Sequence, residues 1–266
     1  MEKTDRKSAT SSEPAQLLVI AGRDSSGGAG VDADLEAARW ASAEAAVVVT
    51  AETLQGEGGL VELGARSTRD WREEAGLALE RGVDAIKFGL LPGEDHVEAA
   101  AALVQELREG SADVPVVLDP VLAPTLGGRF LDEQGVKALL EGLVPQGCIL
   151  TPNLVEAAEL TGRPEGLLKG SLDARIEAAE ELLERGAGGV LMKGGHAEGE
   201  LLELVCEAGS EPRWLRLERQ VGALRGTGCR HATGVAAALA RGDSLFDAAS
   251  SSSAWIGSLI AAQGAS

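Results

Sequence analysis

The sequence contains no tyrosine and few other aromatic residues, with three Phe and four Trp in 266 residues. Proteins that bind single-stranded nucleic acids stack bases on aromatic side chains beside basic grooves. Positive charge is scarce as well, because 24 Lys and Arg stand against 42 Asp and Glu and leave a formal net charge of −18. An acidic surface repels polyanions. The composition therefore argues against nucleic-acid binding and against docking on an anionic membrane.

Cysteine is also rare, with three widely spaced residues, Cys148, Cys206 and Cys229. They form no C-x-x-C pair, no zinc pattern and no even disulfide framework. Cys148 and Cys206 lie in apolar runs and are predicted core residues, and a reducing cytoplasmic location is expected. Residues 1–15 are polar without an apolar signal-peptide region and are predicted to be a mobile tail. No apolar run approaches membrane-spanning length.

Short apolar runs alternate with helical patterns of 10 to 15 residues along the chain. This alternation predicts an α/β protein built from parallel βαβ units, with helices on both faces of one sheet and a single domain over 16–266. Predicted strands span 17–21, 46–50, 84–88, 114–118, 148–150 and 189–192, with a hairpin of 201–206 and 213–217. Predicted helices span 31–42, 68–81, 94–109, 132–143, 154–160, 172–185, 227–241 and 244–262.

Glycine-rich and polar stretches fall directly after predicted strands, where ligands bind in open α/β sheets. These stretches are 22–30, Gln55, 90–92, Asp119, 151–156 and 193–196. The chain has no G-x-x-x-x-G-K-[ST] motif, and 22–30 does not meet the G-x-G-x-x-G spacing. A nucleotide must therefore be bound in another way.

A glycine turn precedes the alanine-rich helix predicted at 227–241. Gly226 and Gly228 leave the N–H groups around Thr227 uncovered at a helix N-terminus, where negative charge is stabilised. Cys229 lies at the same positive end, where its thiol is expected to ionise more readily. The alternative is a simple glycine turn that starts a buried helix, with Cys229 as a small core residue.

Asn153 and Glu156 lie on one face at the start of a predicted helix. Their oxygens suit the water shell around Mg²⁺, although an Asn cap completed by Glu in a capping box explains the spacing equally well. Lys193 follows a strand and precedes Gly194 and Gly195, a pattern that favours a phosphate contact over the alternative of an exposed lysine in a turn. His196 is predicted to form hydrogen bonds rather than to act as a base.

Asp34 lies one helical turn after Gly30, and Gln55 follows the second predicted strand. A carboxylate and an amide on facing loops suit the edges of a heteroaromatic ring. The alternative is a pair of solvated polar residues. His96 and His231 are predicted to lie on helix surfaces without a role.

Six stretches, taken together and in order, resemble the hydroxymethylpyrimidine/phosphomethylpyrimidine kinase family of thiamine biosynthesis, within the ribokinase-like superfamily. The stretches are Ile20 to Gly30 with Ala33-Asp34-Leu35, Lys87 to Leu91, Val117 to Val121, Thr151 to Ala158, Met192 to His196, and Gly226 to Cys229.

The resemblance implies a ribokinase-like αβα sandwich with a mostly parallel central sheet. It implies transfer of the γ-phosphoryl group of MgATP to 4-amino-5-hydroxymethyl-2-methylpyrimidine and then to its monophosphate, by a homodimer. The implied pyrimidine site comprises Gly22, Asp34, Gln55 and Val121. The implied nucleotide and magnesium residues are Lys193, Asn153, Gly195, Asp119 and Glu156. The implied anion hole comprises Gly226, Thr227, Gly228 and Cys229, with Cys229 as the catalytic residue.

The chain departs from the family pattern at Arg23, Leu126, Arg225 and Arg230. Most of these positions are expected on the phosphate side, where arginines tighten anion binding or mark an altered substrate. Two alternatives therefore stand beside the pyrimidine kinase. One is a pyridoxine or pyridoxal kinase of the same fold, and the other is a catalytically impaired ligand-binding relative.

Overall fold

The computed structural model describes residues 13–56, 59–110, 113–124, 127–195 and 199–264. Most of the tail predicted at 1–15, together with Leu126 and His196, lies outside these ranges.

One mixed sheet runs through the described part of the chain. Its strands are β1 (Gln16–Asp24), β2 (Glu44–Gly56), β3 (Gly59–Ala65), β4 (Ala85–Phe88), β5 (Val116–Leu118), β6 (Ile149–Leu150), β7 (Gly189–Met192), β8 (Leu201–Cys206) and β9 (Arg213–Leu217). The spatial order is β3-β2-β1-β4-β5-β6-β7-β8-β9. Six neighbouring strands, β2-β1-β4-β5-β6-β7, are parallel. The antiparallel strand β3 lies at one edge of the sheet, and the antiparallel strands β8 and β9 lie at the other.

Helices cover both faces of this sheet. They are α1 (Val31–Trp40), α2 (Thr68–Glu80), α3 (Glu94–Glu109), α4 (Glu133–Ala138), α5 (Leu154–Thr161), α6 (Glu165–Gly170), α7 (Leu172–Glu184), α8 (Thr227–Ala240) and α9 (Leu245–Gly264). A π-helical turn, Leu139–Leu143, and a 3₁₀ turn, Val144–Gln146, extend α4. The larger core lies under α2 to α7, and a second core lies under α1, α8 and α9. The predicted αβα sandwich with a mostly parallel sheet is confirmed.

Strand β4 contributes side chains to the cores on both faces of the sheet. Ile86 and Phe88 pack into the larger core, whereas Ala85 packs into the second core. Because successive side chains in a strand point to opposite faces, Lys87 shares the face of Ala85 and lies under α8. A lysine is thus carried into the interior by an otherwise apolar strand.

The antiparallel edge at β2 and β3 differs from the prediction. β2 continues to Gly56 instead of ending near Thr50, so Gln55 lies within the strand and not after it. The unpredicted β3 pairs with its second half. This hairpin is partly exposed, with Leu54 46% and Val61 66% accessible, so it lacks the buried apolar run that marks the central strands.

Two histidines predicted on helix surfaces are buried, each only 3% exposed, so that prediction was wrong. His96 Nε2 lies 2.9 Å from the carbonyl oxygen of Arg66 and packs beside Trp71. His231 lies on α8, which is buried over most of its circumference between the sheet and α9. A helix buried all round has no polar face for a periodicity argument to detect. Within the described ranges, none of the helices combines the length and apolarity needed to cross a bilayer.

Candidate active site

The carboxyl ends of β5, β6 and β7 bring three polar residues together at one edge of the sheet. Lys193 Nζ donates to Asp119 Oδ1 at 2.9 Å, and Thr151 Oγ1 donates to the same oxygen at 3.3 Å. The backbone N–H of Lys193 donates to the carbonyl of Pro152 at 2.8 Å, which fixes the end of β7 against the start of α5. Gly195 follows on an exposed turn. Lys193 and Asp119 therefore lie together at the predicted rim.

The glycine turn starts α8 as predicted, with Gly226 at the N-cap in the left-handed region (φ 70°). A Cβ at Gly226 would lie 2.6 Å from the carbonyl oxygen of Gly28 and 2.8 Å from Ala29 Cα, so only glycine fits. No side chain in the described ranges caps this helix. Its first N–H groups are therefore available to an anion.

The same turn packs against the lysine–aspartate pair. A Cβ built on Gly228 would lie 3.3 Å from Lys193 Nζ and 3.7 Å from Asp119 Oδ2. The absence of a side chain at Gly228 leaves the ammonium group and the helix N-terminus facing one small region. That region combines a point charge, a helix dipole and backbone donors.

Cys229 lies in the first turn of α8 and is partly buried. The pKa of its thiol is raised to about 11, chiefly by burial; Asp34 and Asp119 add to the rise, and Lys87 and a backbone hydrogen bond from Gly30 oppose it. The expectation of a readily ionised thiol was wrong. Desolvation and two carboxylates outweigh Lys87 and the Gly30 hydrogen bond.

A buried ion pair, unassigned in the sequence analysis, lies beneath this thiol. Lys87 Nζ donates to both oxygens of Asp34, at 2.9 and 3.0 Å, and neither side chain is exposed. Thr233 Oγ1 donates to Asp34 Oδ1 at 2.7 Å. Burial alone would lower the Lys87 pKa, but Asp34, Cys229 and Asp119 raise it overall, so the lysine is charged. The signal in the sequence was a lysine inside the apolar run Ala85–Phe88.

Asp34 therefore does not face an open rim as expected. Its carboxylate points between α1, β4 and α8, and burial raises its pKa although Lys87 and Thr233 oppose the shift. The other residues implied for the pyrimidine site lie nearer the edge. Gly22 packs so closely on Leu90 that a Cβ would come within 2.5 Å of Cδ2. Val121 is half-buried and lines a small cavity with Asp119, and the side chain of Gln55 lies outside the described part.

Asn153 and Glu156 form a complete capping box at the start of α5, so this alternative is confirmed. Asn153 Oδ1 accepts from the N–H groups of Val155 and Glu156 at 2.8 and 2.9 Å, and Glu156 Oε2 accepts from the Asn153 N–H at 2.7 Å. Burial raises the Glu156 pKa to about 7, with Asp119 adding to the shift and Lys193 opposing it. The described residues contain no cluster of three or more histidines, cysteines or carboxylates suited to a metal ion.

Two of the departures from the family pattern fasten the glycine turn to the end of β1, the loop after it and α1. Arg225 donates to Asp24 Oδ2 and Ser26 Oγ, each at 2.9 Å. Arg230 donates to Glu36 Oε2 at 2.6 Å and to the carbonyl of Arg225 at 2.6 Å. The guanidinium of Arg230 is buried against Glu36 and the carbonyl of Arg225.

A mostly parallel sheet between two helical layers, with an uncapped helix N-terminus beside a lysine at the strand ends, defines a phosphotransferase of the ribokinase-like class. A family model described as phosphomethylpyrimidine kinase matches residues 24–265. The chain belongs to this family.

Curated relatives and solved structures agree with this assignment. Hydroxymethylpyrimidine/phosphomethylpyrimidine kinase of Streptomyces coelicolor is 35% identical over 236 residues, which cover 87% of this chain and 83% of the relative. The protein of the same name from Bacillus subtilis is 32% identical over 88% of this chain and 84% of the relative. Phosphomethylpyrimidine kinase from Clostridium difficile is 27% identical, with a TM-score of 0.76, over 92% of this chain and 99% of that chain.

Pyridoxal kinases share the fold. The Staphylococcus aureus enzyme in complex with AMP-PCP and pyridoxal is 26% identical, with a TM-score of 0.78, over 93% of this chain and 88% of that chain. The pyrimidine-kinase relatives identify the chain as a kinase with ATP as its co-substrate, while the pyridoxal kinases are fold relatives.

Proposed function

We propose that this protein transfers the γ-phosphoryl group of ATP to the hydroxymethyl oxygen of 4-amino-5-hydroxymethyl-2-methylpyrimidine, and then a second phosphoryl group to the resulting monophosphate. The names of its relatives support both steps. The observation that carries the proposal is the uncapped start of α8, which faces Lys193 and has Cys229 in its first turn.

Phosphoryl transfer needs in-line placement and stabilisation of charge on the equatorial oxygens more than covalent chemistry. The N–H groups of Gly226 to Cys229 are held by the helix and need no reorganisation when that charge develops. Lys193 exchanges Asp119 for a phosphate oxygen, because its side chain keeps 13% exposure and pairs with only one carboxylate oxygen. Asn153 and Gly195 place the nucleotide beside this lysine.

Magnesium is the metal that the resemblance implies, and the donor set fits it. Asp119 and Glu156 are two carboxylates close enough for Asp119 to raise the Glu156 pKa, and a divalent cation relieves such repulsion. Two carboxylates with phosphate oxygens and waters are an ordinary magnesium environment. When bound, the ion neutralises phosphate charge, while Asp119 and Glu156 hold it at the edge of the sheet.

In its thiolate form, Cys229 accepts the proton of the attacking hydroxyl at Sγ. Because its pKa is raised to about 11, the thiol is protonated at neutral pH and the reactive thiolate is a minor species. Lys87 is the buried cation that opposes this rise. The hydroxyl proton transfers to sulfur late in the reaction. By then the forming bond to phosphorus has made the hydroxyl group more acidic.

The acceptor ring occupies the region of Gly22, Gln55 and Val121. Asp34 supports this region from the protein interior, because its carboxylate already accepts hydrogen bonds from Lys87 and Thr233. A single domain over 16–266 and a homodimer remain part of the proposal.

The decisive experiment measures ATP-dependent formation of phosphorylated product from the hydroxymethylpyrimidine, from its monophosphate and from pyridoxal. We expect turnover of both pyrimidines and a much lower kcat/KM for pyridoxal. Preference for pyridoxal would make the protein a pyridoxal kinase, and binding of ATP and pyrimidine without turnover would make it an impaired relative.

Replacement of Gln55 tests the placement of the acceptor. We expect Gln55→Ala to raise the KM for the pyrimidine more than the KM for ATP, because the proposal assigns Gln55 to the acceptor region alone. Gln105→Ala is the matched control, since Gln105 donates to Glu109 on the exposed face of α3. A larger effect on the KM for ATP would place Gln55 elsewhere.

A further inference from the structure

Three buried polar side chains from three elements meet behind the start of α8. Glu203 lies on β8, His231 on α8 and Ser253 on α9, and each is less than a tenth exposed. Ser253 Oγ donates to Glu203 Oε2 at 2.6 Å, and His231 Nε2 lies 2.7 Å from Ser253 Oγ and 3.4 Å from Glu203 Oε2. Because the serine proton is directed at the carboxylate, Nε2 is the donor to Ser253. These three residues are called the His231 network.

The surfaces of α8 and α9 that meet around this network are built from small side chains. Alanines dominate α8, and α9 presents a run of serines. Gly234 approaches α9 so closely that a Cβ would lie 2.5 Å from Ser252 Oγ. A contact between small side chains allows close packing but provides few interlocking projections. Apart from the fit of Ser252 against Gly234, shape therefore does little to specify the axial position of α8 along α9.

The His231 network provides hydrogen bonds that specify the axial position of α8 along α9. Ser252 Oγ donates to the backbone carbonyl of His231 at 3.2 Å, while the adjacent Ser253 contacts its side chain. Both the main chain and the side chain of His231 are thus tied to α9. Since Thr227 lies only about one helical turn before His231, an axial shift at His231 moves the anion-binding turn with it.

The network also reaches the lysine side of the site. Leu204 pairs with Met192 across the sheet, so Glu203 lies close to the end of β7 from which Lys193 emerges. Burial alone would raise the Glu203 pKa, but His231, Ser253 and Lys193 together lower it, and the carboxylate is charged. One cluster therefore contacts the helix that carries the backbone donors and borders the strand that carries the cation.

Stability does not account for this arrangement. His231 Nδ1 is buried and has no hydrogen-bond partner among the described residues. A buried polar network with an unsatisfied atom is less stabilising than apolar packing of the same volume. Buried polar groups are retained in some proteins because they specify register.

We propose that the His231 network is a positioning network that fixes the axial register of α8, and with it the N–H groups of Gly226 to Cys229, relative to the transferred phosphoryl group. None of its three residues touches the reacting atoms. The catalytic consequence rests on the proposed kinase function, whereas the structural consequence does not.

The test combines kinetics with amide hydrogen exchange on the full chain. Ser253→Ala removes the bridging hydroxyl and adds no bulk. We expect kcat to fall by about 10- to 100-fold, as a misplacement of about 1 Å costs, with the KM for the pyrimidine unchanged. We also expect faster exchange in a peptide spanning 225–235. Both measurements are made below the thermal unfolding transition of the variant.

Two further variants separate geometry from charge. Glu203→Gln keeps an acceptor oxygen for Ser253, and we expect its kcat to stay within about threefold of the unmodified protein. Glu203→Leu removes the acceptor, and we expect it to match Ser253→Ala. If Glu203→Gln lost as much activity as Glu203→Leu, charge rather than hydrogen bonding would be responsible and the proposal would be wrong.

The matched control is Ser251→Ala, because Ser251 Oγ donates only within α9, to the carbonyl of Ala248. We expect no change in kcat or exchange. An equal effect of Ser251→Ala, or an unchanged kcat in Ser253→Ala, would overturn the proposal. If the unmodified protein phosphorylated neither pyrimidine, the kinase function would fail, and the exchange comparison alone would still decide whether the network fixes α8.

Discussion

Two lysine–aspartate pairs lie near the Cys229 thiol, with equal Nζ–Oδ1 distances but different exposure of the lysine. Lys87 and Asp34 meet at 2.9 Å with no exposed surface on either side chain, and both carboxylate oxygens accept from the lysine. Lys193 and Asp119 also meet at 2.9 Å, but Lys193 is 13% exposed and only one oxygen accepts from it.

The difference separates a fully buried pair from the pair to which we assign phosphate binding. The Lys87–Asp34 pair is closed, because a buried charge that loses its partner has no water to replace it. In the Lys193–Asp119 pair the carboxylate is also buried, and the difference lies in the lysine, whose partial exposure leaves it accessible to a phosphate. The exposure of the lysine therefore distinguishes the two pairs.

The largest effect is expected from Lys87→Met, which leaves the Asp34 carboxylate buried without its partner. We expect the free energy of unfolding to fall by about 3–5 kcal/mol, measured by urea denaturation. Lys137→Met is the matched control, because Lys137 is exposed on α4, and its stability should change little. A loss confined to activity, with unchanged stability, would show that the two pairs are not different in kind.

Lys193→Met should show the opposite pattern. We expect kcat/KM for ATP to fall by about 100-fold, or about 2.7 kcal/mol, because a charge-stabilising donor at the transferred group is lost. Stability should change less than in Lys87→Met, because Lys193 is partly exposed and the buried Asp119 carboxylate keeps the hydroxyl of Thr151 as a partner. The measurement is steady-state kinetics beside urea denaturation. A variant that unfolds with normal kcat/KM would reverse the roles of the two pairs.

Much of this architecture could be predicted from the sequence, because the central strands are buried on both faces and appear as short apolar runs. The hairpin of β8 and β9 was predicted residue for residue. The β2–β3 hairpin was missed because part of it is exposed and because glycines interrupt its sequence, so it contains no continuous apolar run. Short elements such as α6 carry too few residues to show a period.

The candidate site divides in the same way. The glycine turn and Lys193 could be located because strand ends and helix starts leave a local pattern. The ionisation of Cys229 and the burial of His231 could not, because both depend on groups far along the chain. Asp34, Lys87 and Asp119 set the field at the thiol, and their proximity is a property of the sheet order.

The thiol of Cys229 allows a test in which pH changes the activity gradually. Because the Cys229 pKa is raised to about 11, the thiolate fraction grows about tenfold per pH unit below that value. We expect kcat to rise with pH over the range where the protein is folded and chemistry limits the rate, and Cys229→Ala to have a much lower kcat without this rise. The check is a pH–rate profile of both proteins. A rise that persists in Cys229→Ala would assign the proton to another group.

The smallest effect is expected at Arg225, which also pairs with an aspartate but keeps 54% exposure. An exposed ion pair is worth at most about 1 kcal/mol, so we expect Arg225→Ala to raise the KM for ATP by no more than about fivefold. Arg23→Ala is the control, since Arg23 forms a looser, exposed pair with Glu52, with 3.6 Å between the charged atoms. Steady-state kinetics of the two variants tests this point. A loss of kcat/KM at Arg225 as large as that at Lys193 would contradict this expectation. Arg225 would then bind the phosphate directly instead of holding the glycine turn to Asp24 and Ser26.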